Sequence, residues 1–168
     1  MEKKSLRILG VDCGLASIGW EVLEGEGNKF VHIDGGVIHT PKTDDTQKRL
    51  KIIFDELSNI ISVYKPAHMA VEELFYFRNN TTIIGVGQAR GVILLAASIA
   101  DLKVYGYTPL EVKVAVTGYG RAEKKQIQLM VGKILHFKEV PKSDDWADAI
   151  AISICHLNSV KYDRKTQR

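Results

Sequence analysis

The sequence predicts an α/β sandwich on a mixed sheet, and three observations carry the prediction. Three runs rich in β-branched and aromatic residues follow one another within the first forty positions. Long segments with apolar residues at helical spacing come later, separated by short apolar runs of strand length. An antiparallel meander followed by alternating helices and strands is the pattern of such a sandwich.

Taken in order, "LRILGVD" (6–12), "SIGWEVLE" (17–24) and "KFVHIDGGVIHT" (29–40) read as strands, with Gly25-Glu26-Gly27-Asn28 as a hairpin between the second and third. Thr43 or Asp44 can cap a helix whose apolar stripe is Leu50, Ile53, Phe54, Leu57, Ile60, Ile61 and Tyr64, and Pro66 ends it. "HMAVEEL" (68–74) reads as an interior strand. "NNTTIIGVGQARGVILLAASIAD" (79–101) reads as a long helix that is apolar or small around most of its circumference, so it needs cover on several sides, and a second copy of the chain is one cover. "KVYGYT" is a strand, and Thr108-Pro109-Leu110-Glu111 is a capping box that opens a short helix carrying Lys113. After "TGYG", "RAEKKQIQLMVGKIL" (121–135) and "SDDWADAIAISICHLNSV" (143–160) supply the last two helices.

The bulk numbers suit one domain, taken as residues 1–168, with 45% hydrophobic and 26% charged residues. No run has the length of a membrane span, and the start "MEKKSLRILG" lacks a signal peptide's apolar region. Cys13 and Cys155 form no disulfide framework, so the expected compartment is the reducing cytoplasm. A net charge of +3 permits a polyanionic partner without demanding one, and much of the positive charge lies late, from Lys113 to Lys142.

Carboxylates stand where packing alone would not put them. Asp12 closes the first apolar strand, Glu72 and Glu73 close the fourth, and Asp144, Asp145 and Asp148 open the last helix. Only one of Glu72 and Glu73 can share a face with its neighbours. Asp144 and Asp145 suit a helix start for capping and dipole reasons, whereas Asp148 lies a turn further in, before Ala149, Ile150, Ala151 and Ile152. Clustered carboxylates repel and need cations, and oxygen-only ligands suit Mg²⁺ or Mn²⁺. Two such ions about 4 Å apart clamp the attacking and leaving oxygens of a phosphodiester. Lys124 and Lys125 sit in a helix's first turn, where positive charge opposes the macrodipole unless an anion binds there.

"ILGVDCGLASIGW", "VEELFYFRNNTTIIGVGQARGVILLAA", "VKVAVTGYGRAEKKQIQLMV" and "SDDWADAIAIS", in that order, resemble the RuvC family of bacterial Holliday-junction resolvases over essentially the whole chain. The resemblance implies a ribonuclease H-like fold with a mixed five-stranded sheet flanked by helices. It implies a homodimeric, Mg²⁺-dependent endonuclease with two ions per site, Mn²⁺ substituting. That enzyme nicks four-way DNA junctions symmetrically in recombination and repair, leaves 5′-phosphate and 3′-hydroxyl ends, and works with a branch-migration helicase complex (RuvA and RuvB). Position by position, Asp12, Glu72, Asp145 and Asp148 match the catalytic, metal-binding acids, which leaves Asp144 as a cap. Lys113 and Lys124 match the functional lysines, and Phe75 matches the junction-contacting aromatic. Arg78 and Lys125 are further DNA contacts by charge and placement. The family commonly has proline where this chain has Cys13.

Overall fold

A computed structural model describes residues 5–26, 29–73 and 80–166. Its sheet has five strands in the order β3-β2-β1-β4-β5: β1 (Leu6–Asp12), β2 (Ser17–Glu26), β3 (Lys29–His39), β4 (His68–Glu72) and β5 (Lys103–Tyr107). β1, β2 and β3 pair antiparallel, whereas β4 joins β1 and β5 joins β4 in parallel, so the sheet is mixed as the sequence predicts. The helices α1 (Thr46–Tyr64) and α2 (Asn80–Ile99) cover one face. The opposite face takes α3 (Pro109–Thr117), α4 (Lys124–Ile134) and α5 (Asp144–Thr166).

Strand alternation sorts the core into two layers. Leu9, Val11, Val22, Met69 and Val71 face α1 and α2, meeting Ile53, Leu57, Ala89 and Ile93. Ile8, Leu23, Ala70 and Tyr107 face α5 and its neighbours, meeting Ile150, Ala151 and Ile154. By the same parity Asp12 and Glu72 point to the α5 side.

Local signals place the helix starts differently from the sequence reading. Asp45, rather than Thr43 or Asp44, caps α1, its carboxylate accepting from the Lys48 backbone N–H at 2.9 Å. The capping box of α3 forms as predicted, with Thr108 N–H donating to Glu111 Oε2 at 2.7 Å and Glu111 N–H to Thr108 Oγ1 at 3.2 Å. α4 begins at Lys124 rather than Arg121, because Ala122 N–H closes a turn onto Tyr119 and Glu123 is extended. Gln126 Oε1 then accepts the Glu123 N–H at 2.9 Å. α5 runs on from Val160 to Thr166, with no glycine or proline to stop it. Its cap is Ser143, whose carbonyl accepts from Ala147, so Asp144 is the first helical residue and not the cap.

Candidate active site

Two glycines let α5 lie against the sheet at the point where the acids gather. Gly19 on β2 stands opposite Asp12 on β1, and a Cβ on Gly19 would lie 1.8 Å from the Asp145 carbonyl oxygen. One pitch along, a Cβ on Gly10 would meet Ser153 Oγ at 2.0 Å and the Ala149 carbonyl oxygen at 2.6 Å. No side chain fits at either place, so the backbone of α5 approaches the strands directly. The approach carries Asp145 and Asp148 toward the ends of β1 and β4.

A buried network sets the start of α5. Glu21 on β2 is fully enclosed, and its carboxylate accepts from Trp146 Nε1–H at 2.9 Å and pairs with His32 Nδ1 at 2.7 Å. Burial lifts the Glu21 carboxyl above its ordinary range, opposed by these two donors, while the hydrogen bond to Glu21 lifts the His32 imidazole. Trp146 follows Asp145 directly, so its indole anchors the turn that presents Asp145. Glu21 carries no sequence signal of its own, because its partners lie 11 and 125 residues away.

The acids act on one another electrostatically. Burial, followed by the charges of Asp148, Glu72 and Asp145, pushes the Asp12 carboxyl up to about 7. Burial pushes Asp148 up to about 6, with Asp144 and Asp145 adding to the rise and Lys124 and Lys113 opposing it. Glu72 is raised by burial and by Asp148, with Lys113 and Lys124 again opposing. The structure therefore brings together Asp12, Glu72, Asp145, Asp148, Lys113 and Lys124, drawn from five elements. Glu73, by contrast, is exposed beyond β4.

Lys124, at the first position of α4, also reaches Asp144 Oδ2 at 3.9 Å across an exposed surface, a contact of small energetic weight. Lys125 is exposed beside it. Burial and the Asp12 charge push the Cys13 thiol up to about 12, so it stays protonated and adds no negative charge beside Asp12. Phe75 and Arg78 lie outside the described residues.

Among the described residues no three acid, imidazole or thiol side chains are arranged to hold an ion as they stand. The donor set nonetheless fits a divalent cation. It is all oxygen, and a nearby positive charge would oppose the burial and the repulsion that raise Asp12, Glu72 and Asp148.

Comparison with known proteins shows the family. Residues 8–156 match the family described as "Crossover junction endodeoxyribonuclease RuvC". The protein of that name from Halothermothrix orenii is 58% identical over 94% of this chain and 96% of its own length. Its namesake from Fusobacterium nucleatum is 51% identical over 92% of this chain and 82% of its own. The structure of Thermus thermophilus RuvC in complex with a Holliday junction substrate superposes with a TM-score of 0.90 at 33% identity, covering 94% of this chain and 96% of that one. The architecture is thus the ribonuclease H-like one that the resemblance implied, with its mixed five-stranded sheet. On these matches the chain belongs to the RuvC family of crossover junction endodeoxyribonucleases.

Proposed function

We propose that this chain is a Holliday-junction resolvase that uses Mg²⁺, or Mn²⁺ in its place, to make paired symmetric nicks in four-way DNA junctions. The products are 5′-phosphate and 3′-hydroxyl ends, and the setting is homologous recombination and DNA repair in the cytoplasm. The observation that carries the reading is the gathering of Asp12, Glu72 and Asp148, carboxylates from three separate elements raised by burial and by neighbouring carboxylates, with Lys113 and Lys124 beside them. Clustering acids in a half-buried site destabilises the fold unless cations are bound there.

Asp12, Glu72, Asp145 and Asp148 would hold two ions. Bound there, such ions supply an ionised water and neutralise the leaving oxygen of a phosphodiester. The chain's own residues do the rest. Lys113, half-buried on the capped helix α3, holds and polarises the scissile phosphate. Lys124 balances charge as it develops on the phosphorane, and a phosphate at the start of α4 would meet Lys124 at the positive end of the helix dipole. Lys125 on the same turn, with Phe75 and Arg78 after β4, extends the contact along DNA.

A homodimer supplies the paired cuts. α2 packs on the sheet and α1 through Ala89, Ile93, Ala96 and Ala97, and its other side leaves Ile84, Leu95 and Ile99 between 53% and 66% exposed. Gly87 and Gly91 lie along that stripe with open space where a Cβ would be, so another helix can approach closely. A second copy of α2 fits this surface and gives two sites related by two-fold symmetry. A branch-migration helicase complex (RuvA and RuvB) is the further partner of the reading.

The test is nicking of a mobile four-way junction by the purified protein. Paired nicks with Mg²⁺ or Mn²⁺ and none with chelator are expected. A junction left intact in divalent cation, or cut equally well in chelator, contradicts the proposal.

A further inference from the structure

Between the turn that follows β1 and the start of α2 lies a cleft of about 320 Å³. Asp12, Leu15, Arg49, Gly85, Val86 and Asp145 are among the residues that line it. Its volume is that of a small-ligand site, enough for one nucleotide's sugar and phosphate. We propose that Arg49 is a further DNA-binding residue, gripping a phosphate next to the scissile one on the side of the site away from Lys113 and Lys124.

One of the three guanidinium nitrogens is already committed. Arg49 Nε donates to Thr40 Oγ1 at 2.9 Å, Thr40 Oγ1 donates to the Leu15 carbonyl at 2.5 Å, and Thr40 N–H donates to the Ala16 carbonyl at 3.0 Å. This chain of bonds ties α1 to the turn immediately after Asp12 and fixes the plane of the fork. The two terminal nitrogens take no hydrogen bond and no ion pair among the described residues, and they are not sealed from solvent. Arg49 is thus a cation held at the edge of an acidic site without being spent on its acids.

Charge balance says what it is for. A polyanionic strand approaching Asp12, Glu72, Asp145 and Asp148 is repelled, and the lysines of α3 and α4 offset that repulsion from one side only. Arg49 stands on α1, on the other face of the sheet, and reaches the cleft from the opposite direction. A planar fork with its outer edge free suits two-point contact to phosphate oxygens better than an ammonium does. Anchoring its inner edge in advance lowers the ordering entropy of that contact.

The inference rests on the reading that junction DNA is cut at these carboxylates, and one experiment separates the two. Junctions carrying a single uncharged methylphosphonate at successive positions around the cut are bound and cleaved by wild-type protein, Arg49→Ala and Arg49→Lys. Mn²⁺ binding is followed in parallel by electron paramagnetic resonance. One flanking methylphosphonate is expected to weaken wild-type binding about tenfold, the size of a hydrogen bond to a charged group. Arg49→Ala should lose about as much on the unmodified junction, show no further loss at that position, and keep its Mn²⁺ affinity. Arg49→Lys, which retains the charge and suits a helix, should show a reduced response at the same position even if the alanine variant does not fold. Additive losses, a wild-type protein indifferent to every flanking methylphosphonate, or a fall in Mn²⁺ affinity in Arg49→Ala would each overturn the inference. Wild-type protein that shows the phosphate response in binding yet cuts nothing would overturn the catalytic reading and leave this one standing.

Discussion

The two faces of the sheet follow opposite rules. Toward α1 and α2, β1 and β2 present Leu9, Val11, Ile18 and Val22, and the buried layer there is apolar, with Thr40 the one buried polar side chain at its edge among the described residues. Toward α5 the same strands present Gly10, Asp12, Gly19 and Glu21, and the buried layer admits Glu21, Ser153 and His156. One face separates its layers with large side chains, whereas the other removes side chains so that a helix backbone can touch the strands. Residues one apart in sequence therefore have opposite tasks. Val11 fills a core; Asp12 belongs to the candidate site.

The largest effect expected from this division is on activity. Asp12→Asn or Asp148→Asn, on the α5 side, should lower junction cleavage about a hundredfold or more while leaving junction binding largely intact. A cleavage time course alongside a gel-shift titration checks this, and near wild-type cutting by either variant breaks the comparison. Next comes the scaffold face. Ile53→Ala should cost about 2–5 kcal/mol of stability in urea unfolding. Its cleavage rate per folded molecule should stay unchanged, because it packs in the layer on the face of the sheet away from α5.

A smaller loss of stability, with a different signature, is expected at the glycine contact. Gly19→Ala must push the Asp145 carbonyl away from β2. Overpacking of that kind costs about 1–3 kcal/mol. It should also lower cleavage and Mn²⁺ affinity, which Ile53→Ala does not. Equal activity in the two variants, corrected for folded fraction, would mean that the approach of α5 does not position the site.

The smallest effect concerns pH. His156 is buried on the α5 side, its Nδ1 and Nε2 bonded to Tyr107 Oη at 2.7 Å and His68 Nδ1 at 2.9 Å. Burial, with His68 adding to it, depresses the imidazole to about 4 from its ordinary 6.5. The unfolded chain therefore binds the proton first, so the contribution is present above pH 6.5 and is lost as pH falls toward 4. Urea midpoints at intervals across that window should fall less steeply in His156→Asn than in wild type, and as steeply in Ile53→Ala. Parallel slopes in all three would show that the polar face does not set the acid limb.

Much of this division was readable in the sequence, and the unreadable part has one cause. The alternation Ile8, Leu9, Gly10, Val11, Asp12 puts Asp12 on a definite face, and the same parity separates Glu72 from Glu73. Asp145 and Asp148 share a helix face by spacing alone, and the Thr108–Glu111 box announces the helix that carries Lys113. What local pattern cannot express is contact across the chain. Gly19 reads as a strand weakness until Asp145 is seen above it, and Glu21 reads as a surface charge until Trp146 and His32 close over it. Arg49 reads as one more solvated helix cation until Thr40 ties it to the turn after Asp12. The misplaced starts of α1, α4 and α5 have a local origin: several residues in "TDD", "RAEKK" and "SDD" can begin a helix, and backbone turns decide among them.

The central claim is that acids from β1, β4 and α5 share bound divalent cations. Manganese titration of wild-type protein and Asp12→Asn, followed by electron paramagnetic resonance near pH 8, tests it most directly. Saturable binding by wild type that is lost or strongly weakened in Asp12→Asn is the expected result. Equal binding by the two proteins, or none by wild type, would contradict it.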